Sequence, residues 1–328
     1  MRGLGSVVLG AVLAVAGSAG AAELSPSKLS LHLLGGRYSP GAREVVAAGP
    51  RVLKVLDLSP EMLDALRDYK ARWPEGRTVL RIYTRRTYEV GVDPEEAGRD
   101  FWATVLQPPI ERLAPEDRQL IDYLEGPNEC EHYPVWESPE TAAWFARFWA
   151  ALAPLIAGAG LRPCVGSIPV GNPPGTPAEI EARFAAFLPA LRAAHELGGA
   201  WSYHAYSLAY TTDLAEESWT SLRYRMLHGV LERNAPDLAD LPLVLTEAGI
   251  DRGGNAQQDG WQARGTAEQF QEWLAWFDGR LREDDYVLGA TLFQCGDTAG
   301  WPSFEVEPIT GWLADHLRAP AAQLGPRG

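Results

Sequence analysis

Cysteine is scarce in this chain, and the motifs typical of metal or nucleotide binding are absent. The 328 residues include only Cys130, Cys164 and Cys295, none of them in a CxxC pair. An odd count allows at most one disulfide bond, so a large hydrophobic core must hold the fold together. No GxGxxG follows the first β-rich run, and no Walker-type loop or HExxH occurs. These absences weigh against an open nucleotide-binding sheet and a zinc hydrolase.

Positive charge is also in short supply. Lys and Arg together number 29, against 43 Asp and Glu, which gives a net charge of −14. A nucleic-acid-binding protein needs a basic face, so this balance argues against nucleic acid as a partner. Hydrophobic residues make up 46% of the chain and charged residues 22%, which is typical of a globular protein and not of a disordered one.

The N-terminus has the pattern of a secretory signal peptide. A short positive start is followed by an apolar run over 4–16 and by small residues up to Ala22. This run is shorter than the roughly 20 residues that a membrane-spanning helix needs, although an uncleaved anchor is an alternative. We expect residues 1–21 to be removed on export, leaving a single domain, 22–328, without a membrane anchor in the periplasm or outside the cell.

Short β-rich runs alternate with amphipathic helical stretches along the rest of the chain. Ser59-Pro60 and Thr176-Pro177 are typical helix starts, with a capping oxygen before a proline. Strands separated by single helices form βαβ units and a parallel sheet. Eight units predict an α/β fold, the (β/α)8 TIM barrel, with its active site at the C-terminal ends of the strands. The predicted strands are Leu29–Leu34, Val52–Leu58, Val79–Thr84, Leu120–Glu125, Leu161–Ile168, Ala200–Tyr206, Leu243–Thr246 and Val287–Phe293.

Two of these strands lead into carboxylates. Strand 4 runs through Glu125 into Asn128-Glu129, and strand 7 runs into Glu247. Two facing carboxylates are what glycoside hydrolysis needs, because one must donate a proton while the other stays ionised. Their mutual repulsion raises the pKa of one of them. Glu131 is a rival to Glu129, whereas Glu125 is expected to lie deeper in the barrel as a buried support.

These residues resemble clan A of the retaining glycoside hydrolases. The resemblance rests on Glu-x-x-Asn-Glu after strand 4, Thr-Glu-Ala-Gly after strand 7 and His-x-Tyr in strand 6. It implies that Glu129 is the acid/base and Glu247 the nucleophile. It also implies that Asn128 binds the 2-hydroxyl of the sugar, that Tyr206 donates to Glu247, and that His204 points into the site. A member of this clan would cleave a β-linked polysaccharide or oligosaccharide and need no metal or organic cofactor.

The chain departs from the clan pattern on strands 2 and 8. The clan often has an Arg on strand 2, but here strand 2 offers Lys54, and Arg81 belongs to strand 3. Strand 8 lacks the usual Trp, so either Trp301 enters the site from the following loop or that wall of the sugar site differs. We expect Arg81 and His32 to support the site.

Aromatic residues in the loops are candidates for sugar binding. The flat C–H faces of sugar rings pack on aromatic rings. The long polar stretch 251–265 is predicted to form a mobile lid. Arg85 and Arg86 after strand 3 are candidates for meeting an acidic or acetylated sugar. The aromatic candidates are Trp136, Trp219, Trp261 and Trp301, together with Tyr88, Tyr133 and Tyr210.

Two other functions stay open at this stage. A barrel of this kind can bind glycan without cleaving it, and the departures on strands 2 and 8 are compatible with that alternative. An exported metal-dependent hydrolase is the other, although the six histidines are scattered and form no pair at helical ligand spacing.

Overall fold

A computed structural model of the chain describes residues 23–89, 91–129 and 136–324. The predicted signal peptide, 1–21, lies outside these residues, as do Cys130, Glu131 and Tyr133. Among the described residues, no helix combines the length and apolar character needed to cross a membrane.

The chain forms a closed barrel of eight parallel strands, β1 to β8, in sequence order. Each strand pairs with the next, and β8 pairs with β1 to close the barrel. This arrangement confirms the predicted (β/α)8 fold in a single domain. The strands are β1 Leu29–Leu33, β2 Val52–Leu56, β3 Arg77–Arg81, β4 Tyr123–Glu125, β5 Arg162–Ile168, β6 Ala200–Ser207, β7 Leu243–Ile250 and β8 Val287–Cys295.

Helices surround the barrel and connect its strands. The predicted Ser and Thr caps are present: Ser59 accepts from the Met62 N–H, and Thr176 forms a reciprocal capping box with Glu179. A π-helical segment, Trp102–Leu106, joins α3 to α4. The helices are α1 Pro40–Ala47, α2 Pro60–Arg72, α3 Pro94–Phe101, α4 Gln107–Glu111, α5 Pro115–Arg118, α6 Pro139–Gly158, α7 Pro177–Glu196, α8 Leu214–Glu217, α9 Tyr224–Asn234, α10 Trp261–Arg264, α11 Ala267–Leu281 and α12 Thr310–Arg318.

Two strand boundaries differ from the prediction in ways that affect the site. β4 begins only at Tyr123, because the N–H groups of Leu120 and Ile121 bond back to the Asp117 and Arg118 carbonyls of α5. β7 continues to Ile250, since it stays paired with β6 as far as the pair Ser207–Ile250, past one register shift between Tyr203 and His204. Glu247 therefore lies within β7 and not after it, which fixes its backbone on both sides.

The inside of the barrel changes from apolar to ionic along the strand direction. Side chains two residues apart on a strand share a face. If one residue points into the barrel, the residue two positions later does so as well. An apolar cluster fills the N-terminal end of the barrel, with Cys164 and Ala200 beside four larger side chains. Cys164 is a free thiol, as is Cys295. The larger members are Val52, Val79, Tyr123 and Val244. Two residues further along the same strands stand the buried polar residues Lys54, Arg81, Glu125 and Thr246.

Candidate active site

The two carboxylates singled out in the sequence converge at the C-terminal end of the barrel. One oxygen of Glu129, one oxygen of Glu247 and one ring nitrogen of His204 all lie within 4.8 Å of one another. Retaining glycosidases hold their two carboxyl groups about 5–5.5 Å apart, whereas inverting enzymes keep about 6.5–9.5 Å to admit a water molecule. The approach of the two carboxylates thus matches the retaining range better than the inverting one and favours direct attack by one of them.

Glu247 is surrounded by groups that stabilise its ionised form. Arg81 Nη1 lies 2.9 Å from Glu247 Oε1, and Lys54 Nζ lies 3.6 Å from the same oxygen. The Tyr206 hydroxyl donates to Glu247 Oε2 at 2.8 Å. Burial acts to raise the pKa of Glu247, but the charges of His204, Arg81 and Lys54 outweigh it and hold this pKa well below its usual value. Such a carboxylate is suited to act as a nucleophile near neutral pH.

His204 bridges the two carboxylates. β6 pairs with β7 so that His204 stands opposite Glu247. Its Nδ1 lies 2.5 Å from Glu129 Oε1 and 3.5 Å from Glu247 Oε2. On the other side of the ring, Nε2 is 3.2 Å from the hydroxyl of Ser167. The ring is fully buried, so its orientation is fixed from both sides and it holds the Glu129 carboxylate towards Glu247.

The backbone of Glu129 adopts a strained conformation. Its φ angle is +44°, in the left-handed region that side-chain-bearing residues rarely enter. Strain of this kind persists only where the surroundings enforce it, and it is concentrated at functional sites. The neighbouring Asn128 accepts a hydrogen bond from Arg81 Nη1, the same atom that contacts Glu247. Arg81 thus connects the residues after β4 with the carboxylate on β7.

A buried ion pair lies beneath these residues. Lys54 Nζ is 2.8 Å from Glu125 Oε2, and the Thr246 hydroxyl donates to Glu125 Oε1 at 2.7 Å. His32 Nδ1 is 3.7 Å from Glu247 Oε1. Burial, together with the charge of Lys54, holds the pKa of His32 well below its usual value, so its ring is neutral. Glu125 is therefore committed to Lys54 and lies out of reach of substrate.

A cavity of about 450 Å³ opens above the carboxylates and is lined by Glu129 and Glu247. This volume lies within the usual range for small-molecule sites, about 300–1,000 Å³. Phe293, near the end of β8, provides an aromatic wall where the clan usually has a Trp. Trp301 packs edge-on against it with ring centres 5.3 Å apart and lines the same cavity. On the opposite side lies Tyr83, which is 57% exposed.

Two of the predicted aromatic contacts are wrong. Trp136 is buried and packs edge-on against Phe187, with ring centres 4.8 Å apart. Trp261 is buried too, stacked on Phe270, and its indole N–H donates to the Glu305 carbonyl. Both belong to the packing around the barrel, Trp136 against α7 and Trp261 against α11.

Four further predicted loop contacts also lie away from the cavity. Trp219 is 43% exposed, sits beneath the Arg223 guanidinium and is not among the residues that line the cavity. The hydroxyls of Tyr88 and Tyr210 are used locally, to Asp100 and to the Trp261 carbonyl. Arg86 pairs with the same Asp100 and does not line the cavity.

The stretch predicted as a mobile lid is attached to the body of the protein. Asp251 and Gly260 form an antiparallel bridge at its base. The Ser303 hydroxyl accepts from the Gly260 N–H and donates to the Ala256 carbonyl, which fastens this segment to the loop after β8. Such a segment forms a fixed wall of the site because both of its ends are bonded to neighbouring structure.

Several residues that line the cavity were not anticipated from the sequence, and four of them bear on its chemistry. Asp251 and Asp297 follow closely on Glu247 and on β8, and a search of all residues just after each strand would have found them. Phe293 carries no distinguishing signal, because the clan pattern has a Trp near the end of this strand. Tyr83, two residues beyond β3, gives no signal in the sequence that distinguishes it from Tyr88.

The donor set of Glu129, His204 and Glu247 would fit a metal ion by distance alone. The two cations beside Glu247, Arg81 and Lys54, already neutralise its charge and would repel a metal ion. The group of Cys295, Glu305 and Glu307 is bonded internally, since Glu305 accepts from the Gly296 and Glu307 N–H groups. The neighbouring cations in the first group, and the backbone hydrogen bonds that already use the Glu305 carboxylate in the second, therefore disfavour a metal ion.

Replacing Arg81 with Met is expected to raise the pKa of Glu247 by removing the cation that contacts it. The nucleophile would then become protonated at higher pH, so the acidic limb of the kcat/KM profile should move to higher pH. At neutral pH we expect activity to fall about 10- to 100-fold, the effect of losing one charged hydrogen bond. Arg77→Met, on the same strand but beside Asp122, is the control. An unshifted acidic limb in Arg81→Met would contradict this electrostatic role.

No protein-family model matches the chain, and no curated protein matches it in sequence. Solved structures do match. The bacterial orthologue of human α-L-iduronidase is 13% identical, with a TM-score of 0.47 over 86% of this chain and 51% of that chain. A Bacteroides uniformis β-glucuronidase is 12% identical, with a TM-score of 0.48 over 89% of this chain and 35% of that one. A Streptomyces thermolilacinus β-mannanase, solved with mannohexaose, is 15% identical, with a TM-score of 0.43 over 85% and 82%.

These neighbours are glycoside hydrolases built, like this chain, on a barrel of eight parallel strands. The chain spans about half the length of the iduronidase and about a third of the glucuronidase. At such low identities and TM-scores this likeness carries no argument about family or activity.

Proposed function

We propose that the protein is an exported retaining glycoside hydrolase that cleaves a β-linked polysaccharide or oligosaccharide by double displacement. The observation that carries this proposal is the approach of Glu129 and Glu247 within 4.8 Å, at the base of a cavity with aromatic walls. The separation fits a mechanism in which one carboxylate attacks the sugar directly. Export rests on the predicted signal peptide, 1–21.

In the first step, Glu247 attacks the anomeric carbon while Glu129 donates its proton to the departing glycosidic oxygen. The bond between that carbon and oxygen breaks, and an ester between sugar and Glu247 forms. Asn128 is suited to bind the 2-hydroxyl of the sugar, because Arg81 fixes its side-chain oxygen. Phe293 and Trp301 offer flat surfaces to the ring.

In the second step, water replaces the leaving group. Glu129, now ionised, takes a proton from the water molecule, whose oxygen attacks the anomeric carbon and releases Glu247. Because Glu247 is uncharged in the ester, it no longer repels the negative charge on Glu129. His204 holds the carboxylate of Glu129 in place through both steps and, by its bond to Oε1, leaves the other oxygen to exchange protons.

The proposal is tested by incubating the protein with a panel of polysaccharides and identifying released oligosaccharides by mass spectrometry. We expect new reducing ends from at least one β-linked glycan and no loss of activity on treatment with a chelator. Binding without release would support the glycan-binding alternative, whereas activity that a chelator abolishes and zinc restores would support a metal-dependent hydrolase.

A further inference from the structure

Two carboxylates that the proposed mechanism does not use line the same cavity. Asp251 follows directly on the end of β7, and Asp297 lies two residues beyond β8. Both side chains are half-buried. Phe293 and Trp301, which offer flat surfaces to a sugar ring, line this cavity too.

Both carboxylates are held in place by backbone N–H groups. Asp251 Oδ1 accepts from the N–H groups of Gly253 and Gly254, at 3.0 and 2.7 Å. Asp297 Oδ1 accepts from the Gly300 N–H at 2.8 Å. Within the described ranges 23–89, 91–129 and 136–324, neither forms an ion pair with Lys, Arg or His. Burial raises the pKa of Asp251, and the negative charge of Glu129 acts in the same direction.

Acidic side chains outnumber cations among the described residues that line the cavity. These acidic side chains are the four carboxyl groups of Glu129, Glu247, Asp251 and Asp297, and the cation is Arg81. Arg81 is already bonded to Glu247 and to Asn128, and Glu129 carries the proton that it donates in the proposed mechanism, so Asp251 and Asp297 supply the uncompensated negative charge. A sugar that carries a carboxylate would meet no free cation on the described walls and would be repelled.

A positively charged group on the sugar would remove this imbalance. A neutral hydroxyl can hydrogen-bond to an amide side chain almost as well as to a carboxylate, so it gains little from a charged wall. An ammonium group, in contrast, forms charge-assisted hydrogen bonds with carboxylates. Among the described residues, neither Asp251 nor Asp297 belongs to a group of three side chains close enough to hold a metal ion. The arrangement thus suits an organic cation better than a metal.

We propose that the cavity selects an amino sugar, so that the substrate is a β-linked glycan with free primary amines whose ammonium groups pair with Asp251 and Asp297. This inference rests on the proposed glycosidase function and names its substrate class. The net charge of −14 supports it, because a protein with this charge attracts a cationic polymer over long distances and repels a polyuronate.

The test uses pairs of oligosaccharides that differ only in an amine or a hydroxyl at the same carbon, in the gluco, galacto and manno series. We expect the amine member of the cleaved series to have the higher kcat/KM, with a KM that rises as salt is added. Asp251→Asn and Asp297→Asn should each lower the ratio of amine to hydroxyl kcat/KM about 10- to 100-fold, the effect of one charged hydrogen bond.

Asp259→Asn is the matched control. Asp259 lies in the same loop and is also half-buried, but it accepts from the Asn255 N–H and does not line the cavity. This variant should keep the wild-type ratio. Two results would overturn the inference. One is a kcat/KM for the hydroxyl or N-acetyl members that equals or exceeds that of the amine member. The other is a ratio that stays unchanged in both Asp251→Asn and Asp297→Asn.

The same panel separates this inference from the proposed function. Cleavage of neutral or acidic members without amine preference would leave the glycosidase standing and refute the amine selectivity. If no member is cleaved, binding to Glu247→Gln is measured by calorimetry with the same pairs. Amine-selective binding that Asp251→Asn abolishes would keep the selectivity and refute the glycosidase, whereas the absence of such binding would refute both.

Discussion

Glu247→Gln is expected to lower kcat/KM at least about 10⁴-fold on any glycan that the protein cleaves. Glutamine has the same shape but cannot attack the anomeric carbon, so no covalent ester forms. The substitution also removes the charge that faces Arg81 and Lys54, so the fold of the variant must be checked by circular dichroism and thermal unfolding. The measurement is kcat/KM on the best substrate of the panel, made on the same protein preparation as the fold checks.

Glu125→Gln is the matched control for this prediction. It also removes a buried carboxylate that faces Lys54, but Glu125 does not line the cavity. We expect this variant to lose thermal stability, because removing one partner of a buried ion pair leaves the other charge uncompensated. Its activity should remain far above that of Glu247→Gln when the two are compared below their unfolding temperatures. Similar losses in both variants would show that charge balance, and not nucleophilic attack, explains the effect.

Glu129→Ala is expected to show a defect that depends on the leaving group. On a natural glycan, loss of the general acid should cost about 10²- to 10⁴-fold in kcat/KM. On an aryl glycoside with an activated leaving group, formation of the ester needs no acid, so the ester accumulates and its hydrolysis becomes limiting. Added azide should then restore turnover and yield a glycosyl azide of retained configuration, because a small anion can occupy the space left by the carboxylate.

Glu131→Ala decides between the two acids that compete for this role in the sequence. Glu131 lies outside the described residues, whereas Glu129 is bonded to His204 and faces Glu247. We expect Glu131→Ala to retain activity on natural glycans and to show no response to azide. Azide rescue of Glu131→Ala, together with an active Glu129→Ala, would transfer the acid/base role to Glu131.

The fold could be predicted because its signals are local and repeated. Eight β-rich runs, helix starts at Ser59-Pro60 and Thr176-Pro177, and the absence of phosphate-binding loops together favour the closed barrel that the structure has. The length of β7 could not be predicted in the same way. Its last residues pair with β6 as far as Ile250, and this pairing depends on a neighbouring strand that the local sequence does not specify.

The centre of the site was also accessible from the sequence, whereas its walls were not. Glu129 and Glu247 could be named because they lie on or just after strands, whose ends meet at one face of any such barrel. His204 and Tyr206 were implied only by the resemblance of His-x-Tyr to the clan pattern. Loop aromatics carry no such constraint. Trp261 turns into the packing around α11, and a segment that resembles a lid is bonded to the loop after β8.

The configuration of the first product tests the central claim most directly. The substrate of the panel that is cleaved fastest is hydrolysed in deuterated buffer, and the anomeric proton is followed by NMR before mutarotation sets in. Double displacement by Glu247 and Glu129 predicts that the β-configuration is retained in the sugar as it is released. Release of the α-anomer would mean a single displacement by water, which would contradict the assignment of Glu247 as the nucleophile.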